Sequence, residues 1–232
     1  MSGATFAGGP LIPPRIVVVD YGMGNRRSVV KALEHVGADV SLTGDLQSIA
    51  DADGLVVPGV GAFGAAMSSL RAAGLDEAIV GAAGRDVPVL GICLGMQLLF
   101  ERSYERGVND GLGLIGGEVT RLEIGNRPTL RVPHIGWNEV MFERRFRLTV
   151  GLPMSTAFYH VHSFAARPRD RADVVATTEY GERFATIVAS GNVLGTQFHP
   201  EKSSTHGLQL LRNFVAMCDG AAHPTAPARA RA

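Results

Sequence analysis

The chain has 232 residues with 22 basic and 22 acidic side chains, so its formal net charge at pH 7 is zero. A neutral chain has no long-range field that would attract nucleic acid or an anionic membrane, and we expect neither as a partner. Hydrophobic residues make up 46% and charged residues 19% of the sequence, which is typical of a packed α/β protein.

The first half of the chain alternates apolar runs with amphipathic segments. Residues 1–14 have the composition of a loose leader without a signal peptide, and a domain is expected to begin at residue 15. Strands are predicted at residues 15–20, 39–43, 54–57 and 87–92, and helices at 26–36, 62–73 and 94–101. Because these strands are uniformly apolar and are separated by helices, they predict a parallel sheet buried on both faces.

The second half contains shorter strands and ends in an amphipathic helix. Strands are predicted at residues 118–122, 137–142, 157–164, 173–178, 184–189 and 192–198, and the helix at 205–218. The helix has Leu208, Leu211, Phe214 and Val215 at helical spacing. The prediction is an α/β fold with one mixed, mainly parallel sheet, helices on both faces and an antiparallel C-terminal part. One domain is expected over residues 15–219, followed by a disordered tail at 220–232.

The cysteine content bears on the cellular compartment. The two cysteines, Cys93 and Cys218, are too few for a disulfide framework. No apolar run reaches the roughly 18 residues of a membrane helix. A cytoplasmic protein is therefore expected.

Cys93 lies in the pattern G-x-C-x-G, between Gly91 and Gly95, where an apolar strand is followed by a helix. This is the thiol counterpart of the G-x-S-x-G nucleophile elbow. The turn places the side chain at the carboxyl end of a strand, where open α/β sheets bind ligands. The helix N-terminus also favours a thiolate. The alternative is a small buried cysteine that ends a strand.

A nucleophilic cysteine needs a base, and His199 is the candidate that stands out among seven histidines. It follows an apolar strand and is followed by Pro200 and Glu201. Residues two apart in extended backbone point the same way, so Glu201 can orient the imidazole through Nδ1 and leave Nε2 free for the thiol. The alternative is a polar strand exit that caps the next helix.

Five segments together resemble the class I, or triad, glutamine amidotransferases. They are residues 20–25, 58–63, 90–100, 132–138 and 195–203, and the resemblance extends from about residue 16 to about 216. It implies Cys93 as nucleophile, His199 as general base and then acid, and Glu201 as the group that orients it. The implied reaction is hydrolysis of glutamine to glutamate and ammonia through a glutamyl thioester, with no cofactor and no metal ion.

The strings Pro-Gly-Val-Gly at 58–61 and Pro-His-Ile-Gly-Trp-Asn at 133–138 are similar to the branch of this family that serves a cyclase in histidine biosynthesis. That resemblance implies a partner subunit with a (β/α)8 barrel, which receives ammonia through a protected channel. The residues expected at the partner interface are Asn25, His134, Trp137, Asn138 and Lys202. The sequence departs from the family at Arg26, His160 and Phe164, which are interpreted as edge or partner-facing positions.

Acyl transfer also requires donors for the oxyanion. The N–H of Leu94 is one candidate, and the loop of Gly59 and Val60 supplies the other. A peptide flip at Val60 would strain a β-branched residue if it required positive φ, and we hypothesise that docking of the liganded cyclase stabilises the flipped form. The residues expected to bind glutamine are Gly61, Gln97, His162, Ser163 and Phe164.

Three other functions stay open at this point. A different elbow hydrolase would act on an ester or a peptide without ammonia transfer. A nucleotide-binding module is suggested by Gly22 and Gly24 between a strand and a helix, but Arg27 occupies the third glycine position. A related glutaminase could serve another synthase, which the string at 133–138 argues against.

Overall fold

A computed structural model describes residues 13–219, so most of the predicted leader at 1–14 and the whole predicted tail at 220–232 lie outside the described residues. In chain order the elements are β1 (Arg15–Val19), α1 (Arg26–His35), β2 (Asp39–Thr43), α2 (Leu46–Ala50), β3 (Gly54–Gly59), α3 (Phe63–Ala72), α4 (Leu75–Gly84), β4 (Val89–Cys93), α5 (Leu94–Leu98), β5 (Phe100–Ser103), β6 (Asn109–Asp110), β7 (Ile115–Arg121), β8 (His134–Phe142), β9 (Ser155–His162), β10 (Phe164–Pro168), β11 (Val174–Tyr180), β12 (Glu182–Ser190), β13 (Val193–Thr196) and α6 (Ser204–Asp219). Single 3-10 turns cover Arg147–Thr149, Arg171–Asp173 and Pro200–Lys202.

The main sheet has nine strands in the order β2-β1-β3-β4-β13-β12-β11-β8-β9. The strands from β2 to β13 pair in parallel, and those from β13 to β9 pair antiparallel. The predicted α/β class, with a parallel first part and an antiparallel second part, is confirmed.

Alternate residues of the parallel strands supply two apolar layers, one on each face of the sheet. In β1, Val17 and Val19 pack with the layer that contains α3 and α4, whereas Ile16 and Val18 pack with the layer that contains α1 and α6. Both sets are buried, which explains why the strands are apolar throughout rather than alternating. Among the described residues, no helix is long and apolar enough to cross a membrane.

The structure differs from the predicted single sheet by a second sheet of four strands, β10-β7-β5-β6. The helix predicted at 94–101 ends at Leu98, because the chain from Phe100 turns into β5 and pairs with β7. The strand predicted at 157–164 is likewise divided: β9 belongs to the main sheet and β10 to the second. Helices α2 and α4 were not predicted. These differences arise from pairings between distant segments, which local periodicity does not show.

Candidate active site

Cys93 ends β4 with φ 55° and ψ −108°, and α5 begins at the next residue. Such a backbone is costly for a residue with a side chain and is made possible by its glycine neighbours. A Cβ on Gly95 would lie 1.7 Å from the carbonyl oxygen of Val57, and one on Gly91 would lie 2.6 Å from backbone atoms of Gly95. The predicted elbow is therefore present, with strand and helix packed too closely for any residue but glycine.

His199 and Glu201 form a buried pair just beyond the end of β13. The distance from Nδ1 of His199 to Oε1 of Glu201 is 2.9 Å, and both side chains are almost fully buried. Pro200 begins a 3-10 turn between them. The carboxylate therefore reaches the imidazole through a 3-10 turn and not through the extended backbone that the sequence argument assumed.

Cys93 and His199 lie at the same place in the fold, because β4 and β13 are adjacent parallel strands. Burial alone lowers the pKa of His199, but the sulfur of Cys93 and the carboxylate of Glu201 outweigh it and raise the pKa to about 10. Within the described residues, Nε2 of His199 and Oε2 of Glu201 are buried without a hydrogen bond of ordinary geometry. The nitrogen that the proposed mechanism needs is thus available beside the sulfur.

Two further groups lie near the sulfur. The carbonyl oxygen of Val161 is 3.7 Å from Sγ of Cys93, and Nε2 of Gln197 is 3.8 Å from it. Gln197 was not singled out from the sequence. A signal existed, since Gln197 is a polar residue in an otherwise apolar strand exit and lies two positions before His199.

A cavity of about 280 Å³ opens beside the elbow. Among the residues predicted for substrate or oxyanion binding, those that line it are Val60, Gly61, Leu94, Gln97, His162, Ser163 and Phe164. Cys93 is part of its wall, and the remaining lining residues, which the sequence did not indicate, are Glu105, Pro133 and Val161. The carboxylate of Glu105 accepts a hydrogen bond from the N–H of Phe63 at 2.8 Å. It thereby joins the start of α3 to the cavity.

The loop after β3 lies directly against the elbow, and Gly59 pairs in register with Cys93. A Cβ on Gly59 would lie 2.7 Å from the hydroxyl of Tyr21 and 2.9 Å from Cβ of Leu94. The hydroxyl of Tyr21 donates to the carbonyl of Pro58 at 2.5 Å. Burial raises the pKa of Tyr21, so that the donor keeps its proton. Val60 is 40% exposed and has no positive φ, whereas Gly61 has φ 107°.

The outer face of β8 is exposed and mostly apolar. Ile135, Trp137 and Met141 lie on it together with the acidic Glu139, and Trp137 is 55% exposed. The predicted interface residue Trp137 is therefore at the surface rather than in the core. Asn138 points away from this face and donates to the carbonyl of Glu179 at 3.0 Å.

The other expected interface residues differ in their exposure. His134 is only 2% exposed, so an interface role for it cannot be a direct side-chain contact in this conformation. Asn25 precedes α1 and accepts from the hydroxyl of Ser28 at 2.9 Å. Nζ of Lys202 lies 5.9 Å from the ring centroid of Tyr159.

Three histidines form a buried cluster behind the cavity. Nδ1 of His134 lies 3.1 Å from Nε2 of His162, and the rings of His134 and His160 stack with centroids 4.9 Å apart. Burial lowers the pKa of His134 to about 4 and that of His162 to about 3. The pKa of His160 also falls well below its usual value, through burial and the neighbouring imidazoles. All three are therefore neutral at pH 7.

His160 corrects one interpretation of the sequence. It was assigned to an edge or partner-facing position but is fully buried, with Nε2 3.0 Å from the hydroxyl of Thr186. Its ring fits a core position because both ring nitrogens have partners, the other being the carbonyl of Phe158 at 3.1 Å. Arg26, also assigned to an edge, pairs with Asp20, and Phe164 is partly buried against the core. No cluster in the described part of the chain is arranged to hold a metal ion.

Comparisons with known proteins agree with this geometry. The family model for class-I glutamine amidotransferases matches residues 17–218. The chain is 51% identical over 199 residues to the imidazole glycerol phosphate synthase subunit HisH of Moorella thermoacetica, which covers 86% of this chain and 93% of that protein. It is 50% identical over 210 residues to the same subunit of Halobacterium salinarum, covering 88% and 93%.

Among solved structures, PurLQS from Thermotoga maritima matches with a TM-score of 0.69 at 22% identity, over 88% of this chain and 99% of that chain. A glutamine amidotransferase structure matches with a TM-score of 0.67 at 21% identity, over 87% and 98%. These two likenesses concern the fold alone. On the family match and the sequence identities, the chain belongs to the class-I glutamine amidotransferases, a family of enzymes, and within it to the HisH subunits of imidazole glycerol phosphate synthase.

Proposed function

We propose that the chain hydrolyses glutamine to glutamate and ammonia, and that Cys93, His199 and Glu201 carry out the reaction. The observation that carries the proposal is the convergence of these three side chains, with Cys93 in the wall of the cavity. The Nδ1 of His199 is held by Glu201 at 2.9 Å, and Nε2 is left for the sulfur. This is the nucleophile, base and orienting group of a cysteine hydrolase.

In the proposed mechanism the sulfur of Cys93 attacks the side-chain carboxamide carbon of glutamine. His199 holds the proton that leaves the thiol and delivers it to the departing nitrogen, so that ammonia and a glutamyl thioester form. His199 then takes a proton from water, and the resulting hydroxide releases glutamate. Glu201 keeps the proton of His199 on Nδ1 and stabilises the imidazolium.

The oxyanion requires donors at the mouth of the cavity. We assign one to the N–H of Leu94, the first residue of α5, and the other to the loop of Gly59 and Val60. Val60 lines the cavity and is partly exposed. A partner that docks on it would therefore contact the loop directly, and we propose that this contact stabilises the flipped peptide. Equal glutaminase rates with and without the liganded partner would contradict this switch.

The proposed ligand is a small amino acid with its ammonium and carboxylate groups at one end and a neutral carboxamide at the other. Glutamine carries an ammonium group, and Glu105 is the acidic side chain among the lining residues. Gln97 lies at the base of the cavity on α5. Gly61 and the segment His162, Ser163 and Phe164 form the remaining wall, where backbone groups are available for the carboxylate of the substrate.

The partner is proposed to be a cyclase subunit with a (β/α)8 barrel. It would use the ammonia to form imidazole glycerol phosphate and an aminoimidazole carboxamide ribonucleotide in histidine biosynthesis. The relatives at 51% and 50% identity are named as subunits of imidazole glycerol phosphate synthase, which supports a complex of this kind. The exposed apolar face of β8 around Trp137 is the proposed docking surface, and a reactive thiol suits a reducing compartment such as the cytoplasm.

The decisive experiment supplies glutamine and measures glutamate and free ammonia, with the purified chain alone and with a barrel cyclase and its ribonucleotide substrate. We expect hydrolysis that Cys93→Ala abolishes, and glutamine-dependent ring formation in the complete mixture. Cys218→Ala is the matched control, because Cys218 is buried on α6 away from the cavity. Hydrolysis of esters or peptides without release of ammonia from glutamine would contradict the proposal.

A further inference from the structure

Gln197 is a fully buried polar residue between β13 and His199. Its backbone N–H donates to the carbonyl of Thr186 at 2.8 Å, so the backbone of Gln197 is fixed to β12. The side chain lies between two groups of the candidate site. Its oxygen Oε1 is 3.0 Å from Nε2 of Gln97, and its nitrogen Nε2 is 3.8 Å from Sγ of Cys93.

The orientation of both amides follows from one backbone carbonyl. The carbonyl of Phe164 can only accept, and it lies 3.0 Å from the side chain of Gln97, which must therefore present Nε2 to it. The same Nε2 carries a second hydrogen and donates it to Oε1 of Gln197. Gln197 is thereby required to present its N–H, and not its oxygen, to the sulfur.

The buried histidines also form hydrogen bonds that lead to the carbonyl of Phe164. Nδ1 of His162 lies 2.8 Å from the carbonyl of Phe164 and must be the donor. Neutral His162 then accepts at Nε2 from Nδ1 of His134, and His134 accepts at Nε2 from the amide of Asn138 at 3.3 Å. One consistent set of protons thus extends from Asn138 in β8 to Gln197.

Besides the imidazole of His199, the sulfur of Cys93 has two neighbours of opposite character. The carbonyl of Val161 at 3.7 Å can accept a proton from the thiol, and it repels a thiolate. The N–H of Gln197 at 3.8 Å attracts a thiolate. We propose that Gln197 is a positioning residue for the nucleophile: its side-chain amide, locked by Gln97 and the carbonyl of Phe164, holds and stabilises the sulfur anion of Cys93. This deepens the proposed function, since it concerns the same sulfur.

The test is the pH profile of alkylation of Cys93 by iodoacetamide, followed by mass spectrometry of the peptide that contains it. Gln197→Met has a similar volume and no donor. We expect alkylation at pH 7 to slow by about three- to tenfold, as for loss of one net hydrogen bond, and the profile to move to higher pH. In glutamine hydrolysis the same change should lower kcat with little change in KM.

Thr196→Val is the matched control. Thr196 ends β13 directly before Gln197 and is equally buried, and its hydroxyl donates to the carbonyl of Phe198 and not to the sulfur. Its alkylation profile should match that of the parent chain. Gln197→Asn, which keeps the amide but withdraws it from the sulfur, should reproduce the shift if Gln197→Met does not fold.

Profiles for Gln197→Met and Gln197→Asn that coincide with the parent profile would overturn the proposal. The alkylation assay needs no glutamine. A shifted profile in a chain that does not hydrolyse glutamine would therefore support the role of Gln197 and contradict the proposed function separately.

Discussion

The two halves of the main sheet differ in what they contribute to the site. The parallel half, from β2 to β13, carries Cys93 at the end of β4 and leads into His199 after β13. The antiparallel half, from β12 to β9, contributes the cavity wall at His162 and the exposed face around Trp137. The reactive groups thus belong to one half and the proposed docking surface to the other, while residues from both halves line the cavity.

The difference follows from strand direction. Neighbouring parallel strands end at the same edge, so the loop after β3, the sulfur after β4 and the imidazole after β13 meet there without long excursions of the chain. Antiparallel strands alternate their ends, and β8 can leave one face exposed. If this division is correct, changes in the two halves should have separable effects on folding, chemistry and association.

The largest effect is expected from Gly95→Ala in the parallel half. A Cβ there would lie 1.7 Å from the carbonyl oxygen of Val57, so β3 and α5 must separate. We expect a loss of about 4 kcal/mol or more in the free energy of unfolding, measured by urea denaturation. Gly84→Ala is the control, since a Cβ at Gly84 meets nothing within 4 Å. Equal stability of the two variants would show that the elbow is not closely packed.

A smaller effect, confined to association, is expected from Trp137→Ala in the antiparallel half. If Trp137 is a central contact of the docking surface, its loss should weaken binding of the cyclase by about 30-fold, with unfolding stability unchanged. Val80→Ala removes an exposed apolar side chain of α4 in the other half and should bind normally. Isothermal titration would measure the affinity of both variants for the cyclase. Equal affinities would show that the docking surface lies elsewhere.

The smallest effect concerns the dependence of stability on pH. The pKa of His134 is lowered to about 4 and that of His162 to about 3, so the unfolded chain takes up these protons first as pH falls. The contribution of these two neutral histidines to the free energy of unfolding is complete above about pH 6.5. It is lost progressively below that pH, by about 1 kcal/mol per histidine at pH 5.5. His160→Phe should reduce this loss, because burial also lowers the pKa of His160.

Denaturation series at pH 7.0, 6.0 and 5.5 would measure the slope for the parent chain and for His160→Phe. His35→Gln serves as the control, because His35 is exposed at the end of α1, and its slope should equal that of the parent chain. The raised pKa of His199 contributes a slope of opposite sign in the parent chain and in both variants. Equal slopes for the parent chain and His160→Phe would therefore contradict the view that the buried histidines are neutral.

Much of the candidate site at the carboxyl edge of the parallel strands could be predicted from the sequence because its signals are local. G-x-C-x-G indicates the elbow within five residues. The short separation of His199 and Glu201 indicates the pair, although a 3-10 turn and not extended backbone brings the two side chains together. The apolar strands and their parallel order follow similarly from uninterrupted hydrophobic runs. Each of these predictions depends on residues close together in the chain.

The remaining features depend on pairings between distant segments. Glu105 reaches the cavity because it lies between β5 and β6, which belong to the second sheet. A short strand such as Phe100–Ser103 has no sequence pattern that predicts this sheet. Gln197 acquires its position from Gln97, a hundred residues earlier in the chain. The burial of His160 likewise depends on the approach of Thr186 from β12. No local pattern encodes these contacts.

The hydrogen bond from Tyr21 to the carbonyl of Pro58 limits how the loop after β3 can change shape. It anchors the peptide that enters Gly59 to the end of β1. The backbone can then change conformation only between Gly59 and Gly61. The φ of Gly61 is 107°, which only glycine tolerates well. The proposed activation by the partner would then be the rotation of a single peptide unit within this segment, small in amplitude, with no need for a mobile flap over the substrate.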